Sequence, residues 1–186
     1  MKNKKQSEIV VFGDVMLDEY FWGTVDRISP EAPIPVVNLR VTEHRLGGAA
    51  NVALNIKYAG ASVSIIGCIG NDAAGNRVKN LVDSNGIQNN LVIGPNPTTT
   101  KTRVMAVGQQ LLRIDQEKVC GEDQATQLLK ELTLCISAAK AVVISDYAKG
   151  VVRNISNIVD LAREYAIPVI VDPKSNKNTI KQSIEY

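Results

Sequence analysis

The sequence predicts an α/β fold, a parallel sheet with helices packed on it and a small second sheet standing off it. Short apolar runs at 9–12, 63–66, 141–145 and 169–172 alternate with segments of helical period. That order builds a parallel sheet from strand–helix units. The runs are apolar without a polar alternate, the pattern of strands buried on both faces. Two further segments, 20–46 and 98–115, carry β-like stretches with no helix to accompany them. They do not belong in a wound sheet and are expected to project from it as a lid or an interface.

In chain order, Ile9-Val10-Val11-Phe12 is the first strand, followed by Gly13 and Asp14. Segment 20–46 carries Pro30, Pro33 and Pro35 and then the β-like Val36-Val37-Asn38-Leu39-Arg40-Val41. Val52, Ala53 and Ile56 share one face of a helix that should end at Gly60. After the strand at 63–66, Val78, Leu81 and Val82 mark a second helix that should end at Gly86. Segment 98–115 reads as strands at 100–107 and 111–115 joined at Gly108-Gln109. Ala125, Leu128, Leu129 and Leu132 form a third helical face. Ile155, Ile158, Val159 and Ala162 form a fourth, which should stop at Ile167-Pro168. The last stretch, Ser175 to Tyr186, is polar and carries no clear element, and the chain has no internal repeat.

Composition removes several classes of function. The chain has 186 residues, 45% hydrophobic and 22% charged, enough for one compact core. Its formal charge of +2 is too balanced to favour nucleic acid or an anionic membrane, and 4% aromatics is poor material for base stacking. No apolar run approaches the roughly 20 residues that span a bilayer. The start of the chain lacks the apolar core of a signal peptide. Cys68, Cys120 and Cys135 are odd in number and at no metal-ligand spacing, and His44 is the one histidine. A disulfide scaffold, a zinc site and a histidine-based triad are therefore disfavoured, and a reduced, cytoplasmic protein is expected.

Open parallel sheets bind ligands at the carboxyl ends of their strands. The polar residues there are Asp14 and Asp18 after the first strand, Asp146 and Lys149 after the third, and Asp172 and Lys174 after the fourth. Aspartates with lysines nearby suit hydroxyls, phosphate and a divalent cation, although any one of them could simply cap a helix. Gly47-Gly48 before a helical face would let backbone approach a ligand closely, with Asn51 one turn in to bond hydroxyls. The same pair could equally be only a turn. Lys101 and Arg103, two apart on a strand, project from one face and suit a phosphate or, alternatively, a charged edge strand. No G-x-x-x-x-G-K-[ST] loop and no G-x-G-x-x-G fingerprint is present.

Five stretches together carry a family resemblance. They are Val11-Phe12-Gly13-Asp14-Val15-Met16-Leu17-Asp18, Arg27-Ile28-Ser29-Pro30-Glu31-Ala32-Pro33, Gly47-Gly48-Ala49-Ala50-Asn51-Val52-Ala53, Ser145-Asp146-Tyr147-Ala148-Lys149-Gly150 and Val171-Asp172-Pro173-Lys174. In this order the chain resembles the PfkB (ribokinase-like) carbohydrate kinases from about residue 8 to residue 174. The Ile-Ser-Pro-Glu-Ala-Pro stretch and Thr100-Lys101-Thr102-Arg103-Val104 make it most similar to the branch that acts on D-glycero-β-D-manno-heptose 7-phosphate.

The resemblance implies a three-layer α/β/α sheet with a β-lid, and transfer of the ATP γ-phosphate, with Mg2+, to the anomeric hydroxyl of a heptose 7-phosphate on the route to ADP-heptose and lipopolysaccharide. It implies that Asp18, Gly48 and Asn51 hold the sugar, with Asp14 and Gly47 beside them, and that Lys101 and Arg103 hold the 7-phosphate. Asp146, Lys149, Asp172 and Lys174 would line the floor near the phosphates and magnesium. The lid would also make a homodimer. The family's Gly-Ala-Gly-Asp motif, which supplies its anion hole and base, does not occur in this sequence. Its catalytic aspartate is expected beyond Tyr186, and the Asn-x-x-Glu motif would follow 172–174. The 186 residues are thus expected to form an N-terminal part of the domain, with an incomplete sheet and no turnover alone. Another PfkB sugar kinase, or a non-catalytic sugar-phosphate-binding or dimerisation module, are the competing readings.

Overall fold

The structure, a computed structural model, describes residues 8–153 and 155–174. The polar stretch at 175–186, expected to carry no clear element, lies outside the described residues up to its last, Tyr186. Nine strands form two sheets among the described residues. The main sheet holds β1 (Ile9–Gly13), β4 (Val63–Gly70), β5 (Gln88–Gly94), β8 (Ala141–Asp146) and β9 (Val169–Pro173) in the order β5-β4-β1-β8-β9. Every pairing in it is parallel.

Four helices cover the sheet: α1 (Ala49–Tyr58), α2 (Ala73–Ser84), α3 (Glu122–Cys135) and α4 (Ile155–Glu164). On one face, Val11, Val63 and Ile65 pack with Ala49, Ala50 and Ala53 of α1 and with Val78 and Val82 of α2. On the other, Val10, Phe12, Val142 and Ile144 pack with Leu128 and Leu132 of α3 and with Ile158 and Ala162 of α4. A right-handed crossover puts its helix on a face set by the direction of travel. From β1 the chain moves outward through β4 to β5, whereas β8 to β9 moves the opposite way, so the helices divide between the faces. The reversal falls between β1 and β8. At such a point the carboxyl ends of two neighbouring strands open a crevice.

The second sheet has the order β3-β2-β6-β7, from β2 (Val15–Ile28), β3 (Pro35–Gly48), β6 (Thr100–Ala106) and β7 (Gln109–Gln116). A single residue, Asp14, separates β1 from β2, so the first strand continues out of the main sheet through it as a pivot. Pro30 and Pro33 lie in the turn between β2 and β3, where a missing N–H costs no ladder bond. β5 has no counterpart among the runs expected from sequence. Its first half is Gln88-Asn89-Asn90, poor in β-formers, and among the described residues it is an edge strand that pairs only with β4. Tertiary pairing overrides the local preference there.

Candidate functional site

Asp14 sits in the crevice and is 1% exposed. Its carboxylate accepts the N–H groups of Tyr147 at 2.8 Å, Lys149 at 3.0 Å and Val151 at 3.2 Å. Its own N–H donates to the Ser145 carbonyl, and its carbonyl accepts the N–H of Ala49 at the start of α1. One residue therefore ties β1, the β8–α4 loop and α1 together. Burial pushes the Asp14 carboxyl above its ordinary value, opposed by those three N–H bonds and assisted by the nearby Asp146 charge. Asp14, expected beside the sugar-binding groups, has its carboxylate hydrogen-bonded to the loop backbone.

The two glycines are there for different reasons. At Gly47 a Cβ would fall 2.6 Å from Oδ2 of Asp18, so only hydrogen leaves room for that carboxylate. Gly48 has φ 55°, and a Cβ there would come 2.3 Å from the Asp14 carbonyl oxygen. Asn51 follows in the first turn of α1 and lines, with Asp18, a cleft of about 340 Å³ between the lid base and helices α1 and α2. Tyr20, His44, Arg45 and Asn85 also border this cleft.

On the lid, Asp18 and Tyr20 stand opposite Lys101 and Arg103 in the β2–β6 ladder, which puts all four on one face. Arg103 Nη1 donates to Asp18 Oδ1 at 2.7 Å, and both side chains are about one-fifth exposed. Burial opposes the Arg103 charge, but the Asp18 hydrogen bond and charge outweigh it and hold the guanidinium above its ordinary value. The guanidinium carbons of Arg45 and Arg103 lie 4.7 and 5.1 Å from the Tyr20 ring centre. Lys101 Nζ lies 3.0 Å from Asp115 and 3.8 Å from Glu117. Glu117 also receives Lys149 Nζ at 2.7 Å, so a carboxylate after β7 joins the lid to the loop that Asp14 holds. Hydrogen bonds from Lys101 and Lys149 depress the Asp115 and Glu117 carboxyls respectively.

The remaining positions stand along the same edge. Asp146 ends β8; its Oδ1 accepts the N–H of Ala148 at 2.7 Å and its carbonyl accepts that of Lys174 at 3.0 Å. Asp172 pairs with Ser145 in the β8–β9 ladder. Lys174 Nζ lies 5.6 Å from the Tyr147 ring centre. Asp18 and Asn51 thus share one cleft. Asp14 and Lys149 line a second, smaller cavity of about 30 Å³, and Asp146, Asp172 and Lys174 flank the crevice further along the sheet. The catalytic aspartate expected beyond Tyr186 lies outside the described residues, which end at Lys174.

Sequence reasoning overlooks Tyr20, Asp115 and Glu117. A signal for the carboxylates exists: Asp115 and Glu117 alternate at the end of a strand that pairs with the Lys101 strand. The antiparallel register is needed to see it.

The family model "pfkB family carbohydrate kinase" matches residues 6–186. The bifunctional protein HldE of Coxiella burnetii (strain Dugway 5J108-111) is 46% identical over 172 residues, 92% of this chain and 36% of that protein. HldE of Haemophilus influenzae (strain PittEE) is 42% identical over 171 residues, 91% of this chain and 36% of that protein. The chain therefore spans about a third of the length of these relatives. Among solved structures, phosphofructokinase-2 from Escherichia coli in complex with potassium superposes with a TM-score of 0.73 at 22% identity, over 91% of this chain and 54% of that one.

Proposed function

The chain belongs to the pfkB family of carbohydrate kinases, and we propose on that footing that it binds D-glycero-β-D-manno-heptose 7-phosphate for phosphorylation at C1 by ATP. The observation that carries this reading is the 46% identity to HldE over 92% of the chain, with the lid's Lys101 and Arg103 on the same face as Asp18. The proposed setting is the cytoplasmic route to ADP-heptose and lipopolysaccharide. Among the described residues no helix is long and apolar enough to cross a membrane.

In this reading Asp18 and Asn51 bond the sugar hydroxyls across their shared cleft, and Gly47 keeps the Asp18 carboxylate close to backbone. Gly48 fixes the turn into α1, so that N–H groups at the helix start face the sugar. Lys101 and Arg103 receive the 7-phosphate, with Arg103 offering two parallel donors. Asp14 acts by position, since its three N–H bonds shape the loop carrying Lys149. Phosphoryl transfer relies on placement and charge stabilisation more than on covalent help from the protein.

ATP would lie toward the Asp146–Lys174 end of the crevice. Asp146 and Asp172 offer hard oxygen donors of the kind magnesium takes alongside waters and phosphate oxygens. Magnesium there would neutralise charge on the transferring phosphate.

The partner proposed for the lid's outer face is a second copy of the chain. Phe21, Val104, Leu112 and Ile114 share that face by ladder register, and Leu112 and Ile114 are more than half exposed. All of β7 is exposed, an open edge of the kind proteins usually cover.

Titration calorimetry of the chain with heptose 7-phosphate, and with the same heptose lacking phosphate, tests the substrate. Binding of the phosphorylated sugar that weakens at least tenfold in Lys101→Ala and Arg103→Ala supports the reading. Equal affinity for the unphosphorylated sugar would instead point to another carbohydrate as acceptor.

A further inference from the structure

Cys68 and Cys120 come from distant parts of the chain, one near the end of β4 and one just before α3, yet both line the 30 Å³ cavity beneath Asp14 and Lys149. Cys68 Sγ donates to the Ile69 carbonyl at 3.9 Å and Cys120 Sγ to the Gly121 carbonyl at 3.7 Å, both long contacts, and across the cavity each thiol shifts the other's acidity. At Gly94 a Cβ would fall 2.8 Å from Cys68 Sγ, so the glycine leaves that sulfur its space. The cavity exceeds the 10–15 Å³ or so needed for a water, and a hydroperoxide is of comparable size. Cys120 is also wired to the site's loop. Its N–H donates to the Lys149 carbonyl at 2.7 Å, and its carbonyl accepts Nε and Nη2 of Arg153 at 3.1 and 2.9 Å.

We propose that Cys68 and Cys120 form a peroxide-sensitive dithiol whose oxidation to a disulfide ties β4 to the Lys149 loop. The two thiols are unequal. Interaction with Cys120 lowers the Cys68 thiol against the opposing effect of burial, whereas the same interaction, with burial, raises Cys120. Cys68 is the attacking thiolate: it takes the outer oxygen of a hydroperoxide, and the alkoxide or hydroxide released takes up a proton. The Cys120 sulfur then attacks the Cys68 sulfenic acid. The S–S bond forms, the S–O bond breaks, and the hydroxyl leaves as water with the Cys120 proton. Two electrons pass from the thiols to the peroxide. In a reducing compartment such a bond is transient, which is the usual use of intracellular disulfides. Cys135 serves as an internal comparison, because it stands at the end of α3 and does not line this cavity.

The test needs no kinase activity. The reduced chain is exposed to hydrogen peroxide at neutral pH, the remaining thiols are capped with N-ethylmaleimide, and intact mass and a non-reducing peptide map are recorded. Two of the three alkylatable thiols should disappear, a peptide joining Cys68 to Cys120 should appear, and dithiothreitol should restore all three. Cys68→Ser should abolish the cross-link, and Cys120→Ser should leave Cys68 as a dimedone-reactive sulfenic acid. Retention of all three thiols, a cross-link through Cys135, or an equal yield of the Cys68–Cys120 bond in urea would overturn the proposal. The wild-type map decides the matter even where a variant fails to fold.

Discussion

Glu117 Oε2 lies 2.7 Å from Lys149 Nζ, which joins the strand leaving the lid to the loop beneath it. The same carboxylate reaches Lys101, so two cations proposed to meet phosphate share one anion. Removing that anion should strengthen phosphate binding. For Glu117→Gln we expect affinity for heptose 7-phosphate to rise about two- to fivefold, limited by solvent screening of a partly open carboxylate. The gain should shrink with added salt, and calorimetry at two ionic strengths reads both effects.

Asp14→Ala strips three N–H groups of a buried acceptor. The expected loss is about 2–4 kcal/mol of unfolding free energy, seen in urea denaturation. Hydrogen-exchange protection at Tyr147, Lys149 and Val151 should fall further than protection in β4. A uniform loss across the sheet would show that Asp14 does not act through this loop.

Gly48→Ala and Gly47→Ala should separate stability from binding. At residue 48 the positive φ and the 2.3 Å approach to the Asp14 carbonyl are backbone constraints; the cost is about 1–3 kcal/mol. At residue 47 the obstacles are side chains rather than backbone, Asp18 Oδ2 at 2.6 Å and Met16 Cγ at 2.8 Å, so melting should change less than at residue 48 while sugar affinity drops. Thermal unfolding and calorimetry on both variants make the comparison.

Acid should destabilise the chain partly through Asp72. Its carboxylate accepts the N–H of Gly75 at 2.7 Å, capping α2, and both the N–H and the hydroxyl of Thr98. Burial opposes the charge, but these bonds prevail and hold the carboxyl below its ordinary 3.8. The unfolded chain therefore protonates first. The contribution is present above about pH 4 and is lost as pH falls through the lower folded value. Asp72→Asn should be less stable at neutral pH and show a flatter acid limb in urea midpoints measured from pH 6 to pH 3.

Leu112→Glu should leave the fold intact, since the side chain is 55% exposed, and convert a dimer to a monomer in light scattering. A monomeric wild-type chain at high concentration would remove the lid from consideration as a self-association surface.

Much of the main sheet can be read from residue order because its strands are apolar on both faces and its helices keep one small or aliphatic face. Val10, Phe12, Val142 and Ile144 need no partner to be recognised as interior. β5 escapes such a reading because its Asn and Gln residues acquire strand geometry only from β4, and β2 escapes it because Asp18, Glu19 and Tyr20 break any apolar run. Strand-end carboxylates and the glycine pair, by contrast, announce themselves locally.

Their division of labour does not. Asp14 and Asp18 are four residues apart and chemically alike, yet one is buried against loop N–H groups and the other pairs with Arg103 from 85 residues away. Residue order is enough to mark which side chains can be interior and which turns need glycine, because those depend on local sterics and apolar spacing. Which charges meet is settled in three dimensions alone. Long-range ladder register sets which face a side chain shares, and the low dielectric of a closed crevice sets how strongly its charge is felt.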